Sequence, residues 1–318
     1  MEVIDVRPLS IDQWLRVVEA EYFSGYLPQG GAGAKFAVGD EAALLRLQRM
    51  AGEVAARFGM LAVQASAGQV KLHMLHELVF AISRALPWDS LLQRYVEDLF
   101  SRNGYPWPRS GVPLTMPALA QHYDVAPNLL ARNRDQWLTR DLWDDAAMAQ
   151  DFRGALLRLC VARLEPDGSE AETAVLGWLR GEKIGLAQLR QYDIAARISR
   201  TNARAILVSL CHFLRKVAAP GLLLTLDLRP ALRSAPAEGD LRYSPGALMD
   251  LYEVLREIID DLEHLPGLFL LALADQALIS GDRKRTLDTY KALEMRIWPD
   301  VRPGDQQNPL APLVTVSA

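Results

Sequence analysis

Several features are scarce in this 318-residue sequence, and each scarcity excludes a class of protein. Two cysteines, Cys160 and Cys211, are too few for the disulfide framework of a small secreted protein. Both lie in apolar, helical runs, so we expect them to be buried and reduced. Charge of neither sign dominates, because 35 Lys and Arg stand against 39 Asp and Glu. This balance excludes a protein whose entire surface binds nucleic acid, although it leaves room for one basic face.

Signals for membranes and export are also lacking. The longest apolar run, around residues 265–274, is about half as long as a helix that spans a bilayer. The first residues contain no basic leader followed by an apolar stretch. Half of the residues are hydrophobic and 23% are charged, as in an ordinary folded protein. We therefore expect a cytoplasmic protein with no membrane partner.

The apolar residues that are present predict an α/β fold. Short apolar runs predict five strands, at residues 35–39, 60–64, 222–227, 267–274 and 313–317. One amphipathic helix, residues 40–58, separates the first two strands. A strand, a helix and a second strand at this spacing favour parallel pairing. The pattern predicts an α/β fold with a parallel sheet.

A long helical block separates the second predicted strand from the third. Helices are expected at residues 70–86, 88–102, 117–123, 127–140, 146–164, 169–180 and 200–217. The composition does not shift sharply at the loops between them, which favours an insertion rather than a tethered module. We divide the chain into residues 1–69 (first half of the α/β domain), 70–218 (helical subdomain) and 219–318 (second half).

Two positions correspond to the nucleotide site of a P-loop protein. Gly39 follows the first predicted strand, where backbone N–H groups and a helix N-terminus hold phosphates in such folds. Asp227 ends the third strand, where a carboxylate holds Mg²⁺. An equally good interpretation of Asp227 is a strand-end carboxylate that caps a nearby loop.

The chemistry of the first position is missing. A working loop has the sequence G-x-x-x-x-G-K-[ST], but residues 39–45 lack the second glycine, the lysine and the hydroxyl. Asp40 and Glu41 would stabilise the start of the helix and repel a triphosphate. Leu228 stands where a water-activating carboxylate is needed. The sequence therefore predicts a degenerate nucleotide site with no assigned catalytic residue.

Residues 114–142 resemble a helix-turn-helix. The first helix is expected to end near Tyr123, and the second is expected to leave Arg132 and Arg134 exposed to phosphates or base edges. The residues expected to face the core are Leu129, Leu130 and Leu138. Paired short helices with this pattern also occur in bundles that bind no DNA, and that alternative stays open.

The densest basic cluster is formed by Arg283, Lys284 and Arg285. It is interpreted either as the solvated end of a helix predicted near residues 283–298, or as a contact with a nucleotide, a partner subunit or a DNA backbone. The histidines give no comparable signal. His73 and His76 are three residues apart on one predicted helix, but a third ligand other than Glu77 is missing, so we expect no metal site.

Short motifs along nearly the whole chain are similar to those of one family. They lie within residues 21–39, 151–160, 202–210, 220–227, 290–297 and 308–310. The family they resemble is BrxD, the ATPase-like proteins of bacterial BREX phage-defence systems. The resemblance implies an AAA-like P-loop fold, ATP and Mg²⁺ as cofactors, and action beside a DNA methyltransferase and other system subunits. It would place Gly39 at the phosphate loop and Asp227 at the magnesium position, and it adds Arg296, which lies in a matched segment, as a third candidate for cofactor binding.

Three hypotheses about function follow. The first is a pseudo-ATPase that acts as a regulatory or scaffolding subunit of a BREX-type system. The alternative is a DNA-binding subunit or regulator that contacts double-stranded DNA through the helical subdomain. The third is an assembly protein that binds neither ligand.

Overall fold

The computed structural model describes residues 7–108, 113–282, 284–298 and 307–317. The described chain forms two compact units. The sheet unit comprises the described residues of Met1–Ile82 and Ala218–Ala318, and the helical unit those of Ser83–Val217. The three-segment division made from the sequence stays a prediction.

The sheet unit is built on six strands. They are β1 (Leu9–Ser10), β2 (Gly33–Val38), β3 (Leu61–Ser66), β4 (Leu222–Asp227), β5 (Leu268–Ala274) and β6 (Leu313–Ser317). Their order in the sheet is β1-β6-β2-β5-β4-β3, and every pair is parallel. The predicted P-loop NTPase-like α/β class, with a parallel sheet and a large helical part, is confirmed.

Burial along the strands follows their position in the sheet. All seven residues of β5 are buried, because helices cover both faces of an interior parallel strand. Strand β3 lies at the opposite edge of the sheet from β1. Along it, buried Val63 and Ala65 alternate with exposed Ala62 and Gln64. The uninterrupted apolar run at β5 therefore has a structural cause.

The helices of the sheet unit flank these strands. Those before the helical unit are α1 (Ile11–Val18), α2 (Glu41–Arg57) and α3 (Leu75–Ala85), and the last residues of α3 belong to the helical unit. Those after it are α11 (Arg229–Leu232), α12 (Pro245–Asp260) and α13 (Lys291–Ile297). Ser244 caps α12 by accepting a hydrogen bond from the backbone N–H of Ala247 at 3.1 Å. On α1, Trp14 packs in one core cluster with Leu44 of α2 and Phe269 of β5.

The helical unit contains seven further helices among its described residues. They are α4 (Trp88–Arg102), α5 (Met116–His122), α6 (Pro127–Leu138), α7 (Gln150–Leu164), α8 (Ser169–Leu179), α9 (Leu186–Arg190) and α10 (Ala203–Lys216). A π-helical turn, Thr139–Trp143, extends α6. The prediction of a helical block is confirmed, and α9 was missed because it is only five residues long.

One predicted helix is largely wrong. The helix expected near residues 283–298 is present only as α13, preceded by a short 3₁₀ turn at Leu287–Thr289. The side chain of Asp282 accepts a hydrogen bond from the backbone N–H of Lys284 at 3.1 Å. Side chains that bond to nearby backbone in this way compete with helix formation.

Both cysteines are free and buried, as expected. Burial raises the pKa of the Cys211 thiol to about 12 and that of Cys160 above its usual range. Among the described residues, no helix is long and apolar enough to cross a membrane.

Two glycines of the sheet unit provide a test of the fold. A Cβ on Gly221 would lie 2.3 Å from the carbonyl oxygen of Gly267, which already accepts a hydrogen bond from Leu222. We expect Gly221→Ala to lower the free energy of unfolding by about 2 kcal/mol, because backbone must move. Gly52→Ala is the control, since its Cβ would meet nothing within 4 Å. It should be neutral or stabilise α2 by up to about 1 kcal/mol. Equal losses of unfolding free energy for the two variants, measured in urea, would contradict the assigned register of β4 and β5.

Candidate functional sites

The parallel register brings the ends of four strands to one edge of the sheet. Val38 of β2 pairs with Ala274 of β5, and Asp227 of β4 pairs with both Leu273 of β5 and Ser66 of β3. The residues that follow these strands therefore share the carboxyl edge, where open α/β sheets bind ligands. Gly39 and Asp227, proposed from the sequence, both lie at this edge.

The connection at Gly39 is too short to be a phosphate-binding loop. Only Gly39 and Asp40 separate β2 from α2. The backbone N–H of Gly39 donates to the carbonyl oxygen of Ala274 at 3.2 Å, so it is used within the sheet. The Asp40 side chain accepts a hydrogen bond from the backbone N–H of Ala43 at 2.7 Å and caps α2. The start of this helix therefore carries its own anion in place of a phosphate.

The carboxylate of Asp227 accepts hydrogen bonds from a neighbouring arginine. Nε of Arg229 donates to Oδ1 of Asp227 at 2.8 Å, and Nη2 donates to Oδ2 at 2.9 Å. The backbone N–H of Arg229 also donates to Oδ1, at 3.1 Å. Both carboxylate oxygens are thus bonded by one residue, and Arg229 is only 8% exposed.

The surroundings of Arg229 hold it in the charged form. Its pKa is raised, first by the hydrogen bonds to Asp227 and then by the charges of Asp227, Glu41 and Asp275. Asp275 directly follows β5, and its side chain accepts a hydrogen bond from the backbone N–H of Ala277 at 3.0 Å. A guanidinium among three carboxylates supplies the positive charge that Mg²⁺ supplies in an active site.

These residues do not fit a magnesium-bound triphosphate. A metal ion at Asp227 would compete with the two hydrogen bonds from Arg229 for the same oxygens. The sequence analysis missed both Arg229 and Asp275. An arginine two residues after a strand-end aspartate was the available signal for the first of them.

The lysine nearest to Gly39 in sequence does not replace the missing loop lysine. Lys35 lies within β2, and its Nζ donates to the carbonyl oxygens of Leu310 and, at 3.2 Å, Ala311. Nζ also lies 5.1 Å from the centre of the Tyr22 ring. Burial lowers the pKa of Lys35 to about 8. Lys35 therefore holds the segment before β6 against β2 through these hydrogen bonds.

Arg296 has a structural partner. Its Nη2 donates to Oδ2 of Asp260 at 2.8 Å, and its Nε bonds Oδ1 of the same carboxylate. These bonds join α13 to the end of α12. The guanidinium is committed to this contact, so the proposal that Arg296 takes part in nucleotide binding gains no support from its geometry.

The basic cluster at 283–285 is divided. Arg283 lies outside the described residues. Lys284 is exposed, but Arg285 is only 7% exposed and donates to the carbonyl oxygens of Ala231 and Tyr243, each at 2.9 Å. The expectation of a solvated or DNA-facing cluster is therefore wrong for Arg285, because its guanidinium satisfies buried backbone carbonyls.

The helical unit shows which side of α6 faces solvent. Leu130 and Leu138 are buried as expected, but Leu129 is 51% exposed, which corrects the sequence interpretation. Arg132 is exposed. Arg134 is 5% exposed, contrary to expectation, since residues spaced by four share one helix face and Arg134 lies between the two buried leucines.

Two carboxylates compensate the buried charge of Arg134. Its Nη1 donates to Oε1 of Glu165 at 2.7 Å, and its Nε donates to Oδ1 of Asp135 at 2.9 Å. On the opposite side, the exposed face of α6 and the turn after it line a groove of about 590 Å³. Arg132 and Arg140 both line this groove.

No metal site is found in the described part of the chain, where no group of three His, Cys, Asp or Glu side chains could hold an ion. The two histidines singled out from the sequence pack against aromatic rings. His73 lies edge-on to Tyr243 with ring centres 5.1 Å apart, and His76 lies 5.9 Å from Phe80.

Comparison with known proteins places the chain in a family. Residues 127–318 match the family described as BREX system ATP-binding protein BrxC/D. The chain belongs to the BrxC/D family. No curated protein and no solved structure was found to match it. The matched residues include α6, β4 with Asp227 and Arg229, and β5, whereas Gly39 precedes them. Family membership makes this chain a BREX system component, and other subunits of the system are its expected partners.

The ion pair at the carboxyl edge can be measured by a double-mutant cycle. Arg229→Met should lower the free energy of unfolding by about 3 kcal/mol, because it leaves Asp227 without its cation near other carboxylates. Asp227→Asn combined with Arg229→Met should recover part of this loss, which gives a coupling energy of about 1–3 kcal/mol in urea unfolding.

The matched control for this cycle is the exposed pair Arg49 and Glu53, four residues apart on α2. Its coupling should not exceed a few tenths of a kcal/mol, roughly the value for solvent-exposed pairs. Similar coupling energies for the two pairs would show that Arg229 is not held as described.

Proposed function

We propose that this BrxC/D family chain acts in the cytoplasm as a regulatory or scaffolding subunit of its BREX system and does not hydrolyse ATP. The observation that carries the proposal is the pair of hydrogen bonds from Arg229 to both oxygens of Asp227. In an active P-loop enzyme that carboxylate holds the magnesium ion on which phosphoryl transfer depends.

Two further features support the loss of hydrolysis. The two-residue connection after β2 provides neither the lysine nor the hydroxyl that contact phosphate and magnesium. Leu228, which follows Asp227, is 1% exposed. Its buried apolar side chain cannot orient or deprotonate a water molecule.

A scaffolding or regulatory role is consistent with this chemistry. The charge of Asp227 is balanced by Arg229 of the same chain, so this carboxylate needs no bound cation to be stable. A subunit of this kind presents the same surface to its partners whether or not ATP is hydrolysed elsewhere in the system. The family description still names ATP, and a nucleotide that binds here would do so without magnesium held at Asp227.

The test is the response of the purified full chain to magnesium. We expect no release of phosphate from ATP above that of the Asp227→Asn variant, which controls for contaminating ATPases. The melting temperature measured with ATP should be the same with and without Mg²⁺. A magnesium-dependent stabilisation that Asp227→Ala abolishes would refute the proposal and establish a working site.

A second candidate function is binding of double-stranded DNA by the helical unit. Residues 83–217 carry 18 Lys and Arg against 15 Asp and Glu, whereas the rest of the chain carries 17 against 24. The basic excess therefore lies in the helical unit. Within it, Arg132 and Arg140 line one groove and are both exposed. This observation favours α6 as the DNA-facing element, with Arg134 holding it in place.

The salt dependence of binding tests this candidate. The affinity for a fluorescent 20-bp duplex should fall steeply between 50 and 200 mM salt. The double variant Arg132→Ala/Arg140→Ala should reduce the slope of log K against log salt by about two, since each cation lost from the DNA-facing surface removes about one unit. Arg94→Ala, an exposed arginine on α4 that does not line the groove, is the control. An unchanged slope, or no binding at 50 mM salt, would exclude this function.

A further inference from the structure

One row of polar side chains on α6 has the residue types that recognise base edges. Asn128, Arg132 and Gln136 are spaced by four residues, so they lie along one stripe of the helix. All three are exposed and line the groove described above. In the major groove, arginine pairs with guanine through two hydrogen bonds, and asparagine or glutamine pairs with adenine in the same way.

We infer that this row reads base sequence in the major groove of double-stranded DNA. The inference rests on the proposal that the helical unit binds DNA, and it goes further, because phosphate contacts alone carry no sequence information. Asn128 and Gln136 are uncharged, so they add little to electrostatic attraction. A surface that binds DNA only through its phosphates would not need these two side chains.

The elements before the row follow one another as in a DNA-reading helix pair. The seven-residue α5 is followed by a turn over residues 123–126 and then by α6. Asp124 in the turn has φ of 54°, the left-handed conformation that reverses the chain direction within few residues. Asn128 is the second residue of α6, and the N-terminal residues of a recognition helix are the ones that contact base edges.

An exposed leucine also lies at this end of the helix. Leu129 is 51% exposed, although the sequence pattern predicted that it would face the core. An apolar side chain beside Asn128 is suited to contact the methyl group of thymine. The position of Leu129 therefore has a use on a base-reading surface that it does not have on a solvated bundle helix.

The buried face of α6 fixes the row and reduces its electrostatic cost. Arg134 holds the helix through Glu165 on the segment that follows α7. The same guanidinium bonds Asp135, which is the one carboxylate in the α6 sequence and which lines the groove. Its negative charge is thus partly balanced before any phosphate approaches. Arg140, beyond the row, lines the same groove together with Asp144 and donates to Oδ1 of Asn103 at 3.0 Å.

The experiment uses the full chain and a pool of 20-bp duplexes with a randomised centre. A duplex selected from the pool is compared with a scrambled duplex of the same composition by fluorescence anisotropy. We expect the selected duplex to bind at least about fivefold more tightly, which is the least discrimination that a bidentate base contact provides. Arg132→Lys keeps the charge but loses the planar fork, so it should remove the preference for one guanine while the salt slope stays the same.

Two further variants sharpen the assignment. Gln136→Ala should relax the preference at one adenine without changing the salt slope, because the side chain carries no charge. Arg94→Ala should change neither quantity. Since all three side chains are exposed, unchanged thermal unfolding will show that each variant is folded.

The outcomes distinguish base reading from DNA binding by the helical unit. Equal affinity for the selected and scrambled duplexes would overturn base reading and leave DNA binding intact. Arg132→Lys weakening every duplex equally would also overturn it, because a phosphate contact behaves in that way. Absence of binding to any duplex at 50 mM salt would reject both base reading and DNA binding by the helical unit.

Discussion

The carboxyl edge of the sheet carries Glu41, Asp227 and Asp275, and their charges act on the guanidinium of Arg229. In an active P-loop enzyme the balancing cation arrives with the nucleotide. Here it is covalently attached and permanently charged. Stabilisation by a bound ligand depends on the logarithm of ligand concentration, whereas an internal ion pair has no such dependence. The ion pair of Arg229 and Asp227 therefore stabilises this edge independently of nucleotide concentration.

The arginines of this chain divide according to the acceptors around them. Arg134 and Arg285 are buried because carboxylates or backbone carbonyls surround their guanidinium groups. Each connects segments that lie far apart in sequence. Because their N–H groups donate to these acceptors, burying the two guanidinium groups costs less free energy. Arg132 is on the opposite side of the same helix as Arg134 and faces solvent. Basic residues in one short stretch thus differ in burial, and the exposed one remains accessible to a partner.

Most of the sheet could be predicted because its strands are short, apolar and buried, and the run at β5 shows this most clearly. The two-residue β1 is too short to leave a pattern. In the candidate sites, the loss of the phosphate loop could be read from the residues after Gly39, since the loop is a local motif. The burial of Arg134 could not, because Glu165 is 31 residues away, and the carbonyl partners of Arg285 are 54 and 42 residues away. Local patterns specify elements, while long-range acceptors decide which charged side chains are available.

The short connection between β2 and α2 also has an evolutionary consequence. Substitutions could return a lysine or a hydroxyl to this stretch, but the backbone between Val38 and Glu41 has only two residues with which to surround a phosphate. Gly39 is in addition closely packed, since a Cβ there would lie 3.0 Å from the carbonyl oxygen of Val316. A phosphate-binding loop at this position would therefore require an insertion of several residues or the unwinding of a capped helix turn. Point substitutions alone would not produce one.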